Sequence, residues 1–513
     1  MPALFLSRGE KVMKIRSEKA AMLAVGTFYL LFSLLLGAVY AYVLFDKSIH
    51  GWHRLPLFAA MAAAGSVLAL VWRALGRIPG WLERYGRRTV AIGCLALAGI
   101  QILLAARLEY QPTFDLEAIY GGAQEWVRTG NFASYATSTC AGDYFCYFPN
   151  NFGGLALLAL ALRLTGPLGE SMPFFVASVL CSGLVSAAVW FGCEVCRLLW
   201  GRRQAVFCLC LFLLMPPFYL AGAAFYTDFL SMLFPVLGLY CFLRMQRAAG
   251  RRSRVLWLGG CCAAVAVGTL IKGTVAITAV ALVIVLLCMR RLRRAAVTAA
   301  CLLAVCMGVQ GVFSAWMTSH LDPRKAELYA TPTLHWVMMG LQGNGGYSAA
   351  DYDLTRSFTD TAARDEALKE EIGRRVSALG VSGLADLWER KLAVDFGDGT
   401  LAVSDFLDDR PVTSRPLHQW VLYGGEHYKT YQTLCNGVYL VVALLMVAGA
   451  VLPGREKGEG MAPWLCVFGL ALFLMMWESS ARYVTNFVPL MLVCAAGSMP
   501  RVCAALRQVF RRL

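Results

Sequence analysis

Asp115 and Glu117 stand directly behind an apolar run, in the stretch TFDLEAIYGGAQEW, residues 113–126. A carboxylate at such a junction can take a proton from an attacking hydroxyl, hold a cation, or sit solvated. On a helix, positions two apart point to different faces, so the two acids divide their roles rather than act as a pair. A third acid, Asp228 in FYTDF, falls where one apolar run ends and the next begins. At that depth an acid needs a partner or a task. Lys272, a metal ion and a substrate hydroxyl are the options. Lys272 itself, in GTLIKGTVAI, is a lone cation between two apolar runs, and Asp228 or a lipid phosphate would answer its charge. In MMWESSARYVTNF, Glu478 and Arg482 are four apart and can pair along a helix. Arg is also the side chain best shaped to hold phosphate through two parallel hydrogen bonds, and Tyr483 adjoins it. His335 and Trp336, in TPTLHWVMMGL, add a possible base and an aromatic contact.

What positions these residues is a membrane. Of the 513 residues, 58% are hydrophobic and 15% charged, too little polar surface for a soluble domain. Runs of roughly 20 apolar residues broken by short basic clusters predict an all-α polytopic membrane protein. The net charge of +15 does not mark a nucleic-acid partner, because its Lys and Arg sit in short loops between apolar runs. Twelve spans are expected, at 22–45, 56–75, 89–106, 174–196, 205–223, 226–243, 255–271, 274–289, 295–317, 433–452, 463–477 and 483–500. The first follows a basic segment with no small-residue cleavage site and reads as an uncleaved span. Residues 151–166 form a shorter run of about 24 Å, short of a ~30 Å hydrocarbon core. If that run does not cross, 28 of the 47 Lys and Arg fall on the cytoplasmic side, 12 in one long outer loop and 7 elsewhere outside. That asymmetry predicts cytoplasmic termini, a peripheral or re-entrant helix at 151–166, and every candidate residue above on the outer face.

Four regions follow: residues 1–88 with two additional spans; a core, 89–317, with its first outer loop at 107–150; an outer loop region, 318–430; and three last spans with a basic tail, 431–513. The stretch TDTAARDEALKEEIGRRVSALG, residues 359–380 of that loop, reads as a polar, exposed helix. Asn150 and Asn151 are placed to cap the short helix. Most of the 18 cysteines lie in apolar runs and behave as small hydrophobes. Cys140 and Cys146 lie in a polar loop and are open to a disulfide or to two thiols.

The order of these segments resembles the GT-C class of integral-membrane glycosyltransferases, the group of protein O-mannosyltransferases and aminoarabinose transferases. The carrying segments are FDLEAIYGGAQEW, YFPNNFGGLALLALALRLTG, FYTDFLSMLFPVLGLYCFLR, GTLIKGTVAI, HWVMMGLQGNGGYS and WESSARYVTNFVPL. The resemblance implies a sugar donor on a polyprenyl-phosphate carrier, an acceptor that is a protein, lipid or wall glycan, and a plasma-membrane location. It implies Asp115 as general base with Glu117 secondary, and Lys272 and Arg482 on the carrier phosphate. Asp228 would orient donor or acceptor, or hold Mg2+ or Mn2+ in metal-dependent members. YTD lacks the paired acids of those members. His335, Trp336, Tyr483 and Glu478 would contact the acceptor or the loop. Two other classes compete: an O-antigen polymerase or ligase working through loop residues such as His335 and Arg324, and a lipid-linked sugar transporter or flippase.

Overall fold

The computed structural model describes residues 8–45, 54–108, 110, 112–137, 142–407 and 416–511. The described residues are mostly helical, with no strand among them. Cys140 lies outside them, and so does its pairing with Cys146. Lipid offers no partner to a free N–H or C=O, so apolar runs in a bilayer close their hydrogen bonds within helices.

Ten described helices are long and apolar enough to cross a membrane. The expected count of about twelve falls short at two places. The run at 205–223 breaks into Arg202–Leu214 and a second piece, Pro217–Ala223, bent by 71°; counted as one span it makes eleven. Pro216 and Pro217 remove two N–H donors and clash with the preceding turn. The carbonyls left behind are recovered: Met215 N donates to Phe212 O at 3.1 Å and the Tyr219 hydroxyl donates to Leu213 O at 2.6 Å, while Gln101 Nε2 and the Tyr110 hydroxyl donate to Phe218 O and Ala223 O of the second piece at 2.7 and 2.9 Å. The run at 274–289 gives only the short apolar helix Gly273–Cys288, about 24 Å at 1.5 Å per residue.

Enclosure sorts the spans. Thr227–Arg247 is 83% buried along its most apolar window and Ala481–Val509 72%, whereas Leu292–Thr318 is 11% buried. The first two are therefore central and the last faces outward. Both central spans begin at the same end of the bundle, one with Asp228 and the other with Arg482 and Tyr483.

Phe152–Thr165 has 14 residues, about 21 Å, too short to cross. It packs on Phe114–Thr129 and leaves Leu160 and Leu164 exposed. Gly153 sets its position. A Cβ there would lie 2.1 Å from Leu270 O, so only glycine lets this helix abut the backbone just before Lys272. Between the spans at 292–318 and 428–451 lies a layer of further helices, among them the short Pro323–Tyr329, Thr333–Met339 and Ala349–Arg356, and the long Thr361–Gly397. Thr361–Gly397 is capped by Asp360, which accepts from Ala363 N at 2.7 Å, and is interrupted at Gly380, with φ 60°.

Candidate active site

Asp115 opens the helix Phe114–Thr129, half-buried, behind Phe114 in the left-handed region at φ 46°. Its two carboxylate oxygens accept from two different phenols. Tyr226 donates to Oδ2 at 2.6 Å, and Tyr144 donates to Oδ1. Tyr144 in turn accepts from Asn151 Nδ2 at 2.5 Å. Asn151 makes no side-chain cap, so the capping role expected for it is replaced by an orienting one. Burial, followed by the Asp115 charge, pushes both phenols above their ordinary range. They therefore stay protonated and donate. A carboxylate offers about four lone-pair sites, and two are left for an incoming hydroxyl.

The cations stand beside this arrangement. Asp228 is fully buried and paired with Lys272. The Lys272 ammonium also lies 4.9 Å from the Tyr483 ring centroid. The Arg482 guanidinium stacks over Tyr226 at 5.1 Å and Tyr483 at 5.6 Å. Among the described residues no carboxylate comes within ion-pair distance of Arg482. The expected Glu478–Arg482 pair does not form. Residues 477–480 are non-helical and 481–487 is a 3-10 helix, so the spacing of four no longer stacks the two side chains. Tyr483 instead donates to Glu478 Oε2 at 2.5 Å. Burial raises the Glu478 carboxyl above its usual range, against the Tyr483 hydrogen bond and the Arg482 charge.

An ammonium occupies Asp228 Oδ1, and among the described residues no group of three His, Cys, Asp or Glu side chains could hold a metal. Three buried oxygens near Lys272 have no partner: Asp228 Oδ2, Thr485 Oγ1 and Asn486 Oδ1. Asn486 is fixed by donating from Nδ2 to Thr274 Oγ1 at 3.0 Å.

The remaining sequence candidates divide. Glu117 stands on another face of its helix, where its charge acts on Tyr135. The tip of that Tyr135 ring fills the space beside Gly121. His335 is fully buried, its Nδ1 2.7 Å from Thr355 Oγ1 and its ring against Trp336 and Tyr352. Burial lowers it to about 4, against the Asp351 charge, so it is neutral at ordinary pH. It belongs to the packing of the loop layer. Trp336 stacks on Trp477 at 6.2 Å and so braces the segment that carries Glu478.

Sequence reasoning passed over three groups. The phenol donors Tyr144 and Tyr226 are one; the adjacency of Tyr226 to TD was the available signal. Lys391 and Asp395, both fully buried, are the second. Lys391 donates to Met475 O at 2.9 Å and Trp477 O at 2.6 Å, while Asp395 accepts from Ser480 N at 2.8 Å and Ser479 Oγ at 3.0 Å. Together they bolt the loop layer to the Glu478 segment. Charges four apart around LAV, in KLAVD, were the signal. The third is Arg356, exposed over the rings of Tyr147 at 4.4 Å, Tyr352 at 5.1 Å and Phe148 at 5.9 Å. Phe148 touches Tyr144, so this aromatic platform is one ring away from Asp115.

Residues 57–503 match the model of a family described as "Conserved hypothetical integral membrane protein". The chain belongs to that family. Membership covers every span but the first and both ends of the site, from Asp115 to Tyr483. No curated protein matches. Among solved structures, the chain is similar to ArnT from Cupriavidus metallidurans bound to undecaprenyl phosphate, at 13% identity and a TM-score of 0.39, covering 81% of this chain and 78% of that one. It is also similar to the archaeal oligosaccharyltransferase AglB from Archaeoglobus fulgidus, in complex with an inhibitory peptide and a dolichol-phosphate. There the identity is 14% and the TM-score 0.38, with 84% of this chain and 52% of that chain covered.

Proposed function

We propose that the protein is a membrane glycosyltransferase that moves a sugar from a polyprenyl-phosphate carrier to an acceptor hydroxyl on the outer face of the plasma membrane. One observation carries this reading. A half-buried carboxylate, oriented by two phenols, shares a single enclosed cluster with a lysine and an unpaired arginine. In the reaction the acceptor oxygen attacks the anomeric carbon as the bond from that carbon to the phosphate oxygen breaks. Asp115 takes the hydroxyl proton, a task suited to a carboxylate within hydrogen-bond reach. The leaving phosphate collects negative charge, which Arg482 and Lys272 balance where bulk water is excluded. Asp228 keeps Lys272 in place and takes no part in bond making. The acceptor lies across the platform of Tyr147, Tyr352 and Arg356, and both termini are cytoplasmic.

The rival that works through His335 and Arg324 has less support. His335 is buried within the loop layer and Arg324 lies on a short exposed helix. The test is transfer of labelled sugar from a polyprenyl-phosphate donor by purified protein in liposomes. Asp115→Asn is expected to lower the rate by about 10²–10⁴-fold, the usual contribution of a positioned base. A chelator is expected to leave the rate unchanged. Full activity in Asp115→Asn removes the assignment of the base.

A further inference from the structure

At the end of the bundle opposite Asp115, a cleft of about 270 Å³ opens between the helices Leu233–Arg247, Arg251–Ile271 and Leu292–Thr318. Its lining includes Arg254, Arg293, Arg294 and Gln246, with Leu258 and Val297 as its apolar wall. Basic residues at a span end are expected from membrane insertion alone, and those need not enclose anything. This group lines a half-open cleft rather than a flat surface.

The polar groups around it are left wanting an anion. Arg291 donates to Gln246 Oε1, and Arg294 reaches the same oxygen at 3.4 Å. Two positive side chains thus share one neutral acceptor. Arg254 donates from Nη2 to Ala248 O at 3.2 Å, while its Nε and the Gln246 amide nitrogen are buried with no partner. Among the described residues no carboxylate lies within ion-pair distance of Arg254, Arg291, Arg293 or Arg294. Glu459 is taken by Arg247 at 3.3 Å. The outer wall is greasy. Val297 is half exposed and Leu292 two-thirds exposed, on the span that is least enclosed by protein. An occupant must therefore present an anion to the arginines and an acyl chain to the wall.

We propose that this cleft is a binding site for the phosphate headgroup of an anionic phospholipid, its tails lying along the helix Leu292–Thr318. Basic clefts between spans at the headgroup level attract such lipids at a strength that grows with each added charge. The site is separate from the Asp115 centre and does not depend on the glycosyltransferase reading.

The experiment uses the full-length protein, delipidated in detergent, with lipid binding followed by native mass spectrometry and thermal unfolding. Phosphatidylglycerol, phosphatidylcholine, glycerol 3-phosphate and inorganic phosphate are the four ligands. Phosphatidylglycerol is expected to bind and stabilise, and phosphatidylcholine is not. Each of Arg254→Gln, Arg293→Gln and Arg294→Gln is expected to weaken phosphatidylglycerol binding about fivefold, from the typical attraction per basic residue. A control that changes Arg77, Arg84 and Arg88 to Gln together removes three charges from the same end, more than any single cleft variant, and is expected to bind normally. Arg293 and Arg294 are exposed, so their single variants keep the test alive if Arg254→Gln fails to fold. Equal binding of both phospholipids, or equal losses in the cleft and control variants, overturns the proposal. Full stabilisation by inorganic phosphate or glycerol 3-phosphate alone also overturns it, assigning the cleft to a soluble anion instead.

Discussion

Asp115 owes its orientation to a short chain of side-chain hydrogen bonds. Tyr144 holds one oxygen and is itself held by Asn151, so the chain Asn151 to Tyr144 to Asp115 fixes the carboxylate. A hydrogen bond to a charged group contributes about 1.5–3 kcal/mol. Tyr144→Phe is therefore expected to slow sugar transfer roughly tenfold to a hundredfold, with protein yield and melting temperature little changed. Asn151→Ala should act in the same direction and more weakly, because it frees Tyr144 without deleting it. If Tyr144→Phe proves silent in the liposome transfer assay, Asp115 is not held by that phenol during turnover. His335 shows the opposite case, a titratable residue that sequence alone made attractive. Its burial against Trp336 and Tyr352, with Nδ1 on Thr355, makes it a packing residue.

Among elements, the Thr361–Gly397 helix couples the loop layer to the membrane part. Its first half is polar and largely exposed, as its sequence suggests, and its last turns are buried. Lys391 there satisfies two carbonyls of the Trp477 segment and lies near Asp395. Lys391→Ala would strand those carbonyls, at about 1–3 kcal/mol for each buried group left without a donor, and withdraw the positive charge that eases the buried Asp395. Calorimetry in detergent is expected to show a large drop in melting temperature for Lys391→Ala and a smaller one for the double change Lys391→Met with Asp395→Leu. A pH effect belongs to the same layer. His335 has a native value of about 4 against an ordinary 6.5, so the unfolded chain binds its proton first. The stability it contributes is complete above pH 6.5 and is lost as pH falls from there toward 4. That difference amounts to about 3 kcal/mol. Melting temperature should fall through that window, and His335→Gln should flatten the fall.

At the scale of the molecule, the two most enclosed spans deliver the two halves of the charged cluster to one end of the bundle. The basic cleft occupies the other end. This polarity gives a direct check of sidedness. Alkaline phosphatase fused after residue 320 is expected to be active outside the cell, and fusions after residues 249 and 290 to be inactive. The reverse pattern would turn the Asp115 cluster toward the cytosol, where the proposed chemistry has no lipid-carried donor facing it.

Hydropathy and the placement of basic residues are local properties, each set by the cost of moving a short segment into lipid. They were enough to mark an all-helical membrane protein, to set apart the marginal run 151–166 through the sidedness of the basic clusters, and to gather Asp115, Asp228, Lys272, Glu478 and Arg482 toward one end. Family membership over residues 57–503 agrees with the membrane reading. Partnerships inside the site were not legible in this way. Asp115 and Tyr226 are 111 positions apart, Lys391 and Trp477 86 apart. Such contacts depend on where the broken helix at 215–217 and the close approach at Gly153 deliver each segment, and no short window of sequence contains both partners. The Glu478–Arg482 spacing shows the limit most plainly: four residues mean a pair only on an α-helix, and the tertiary structure puts no α-helix there.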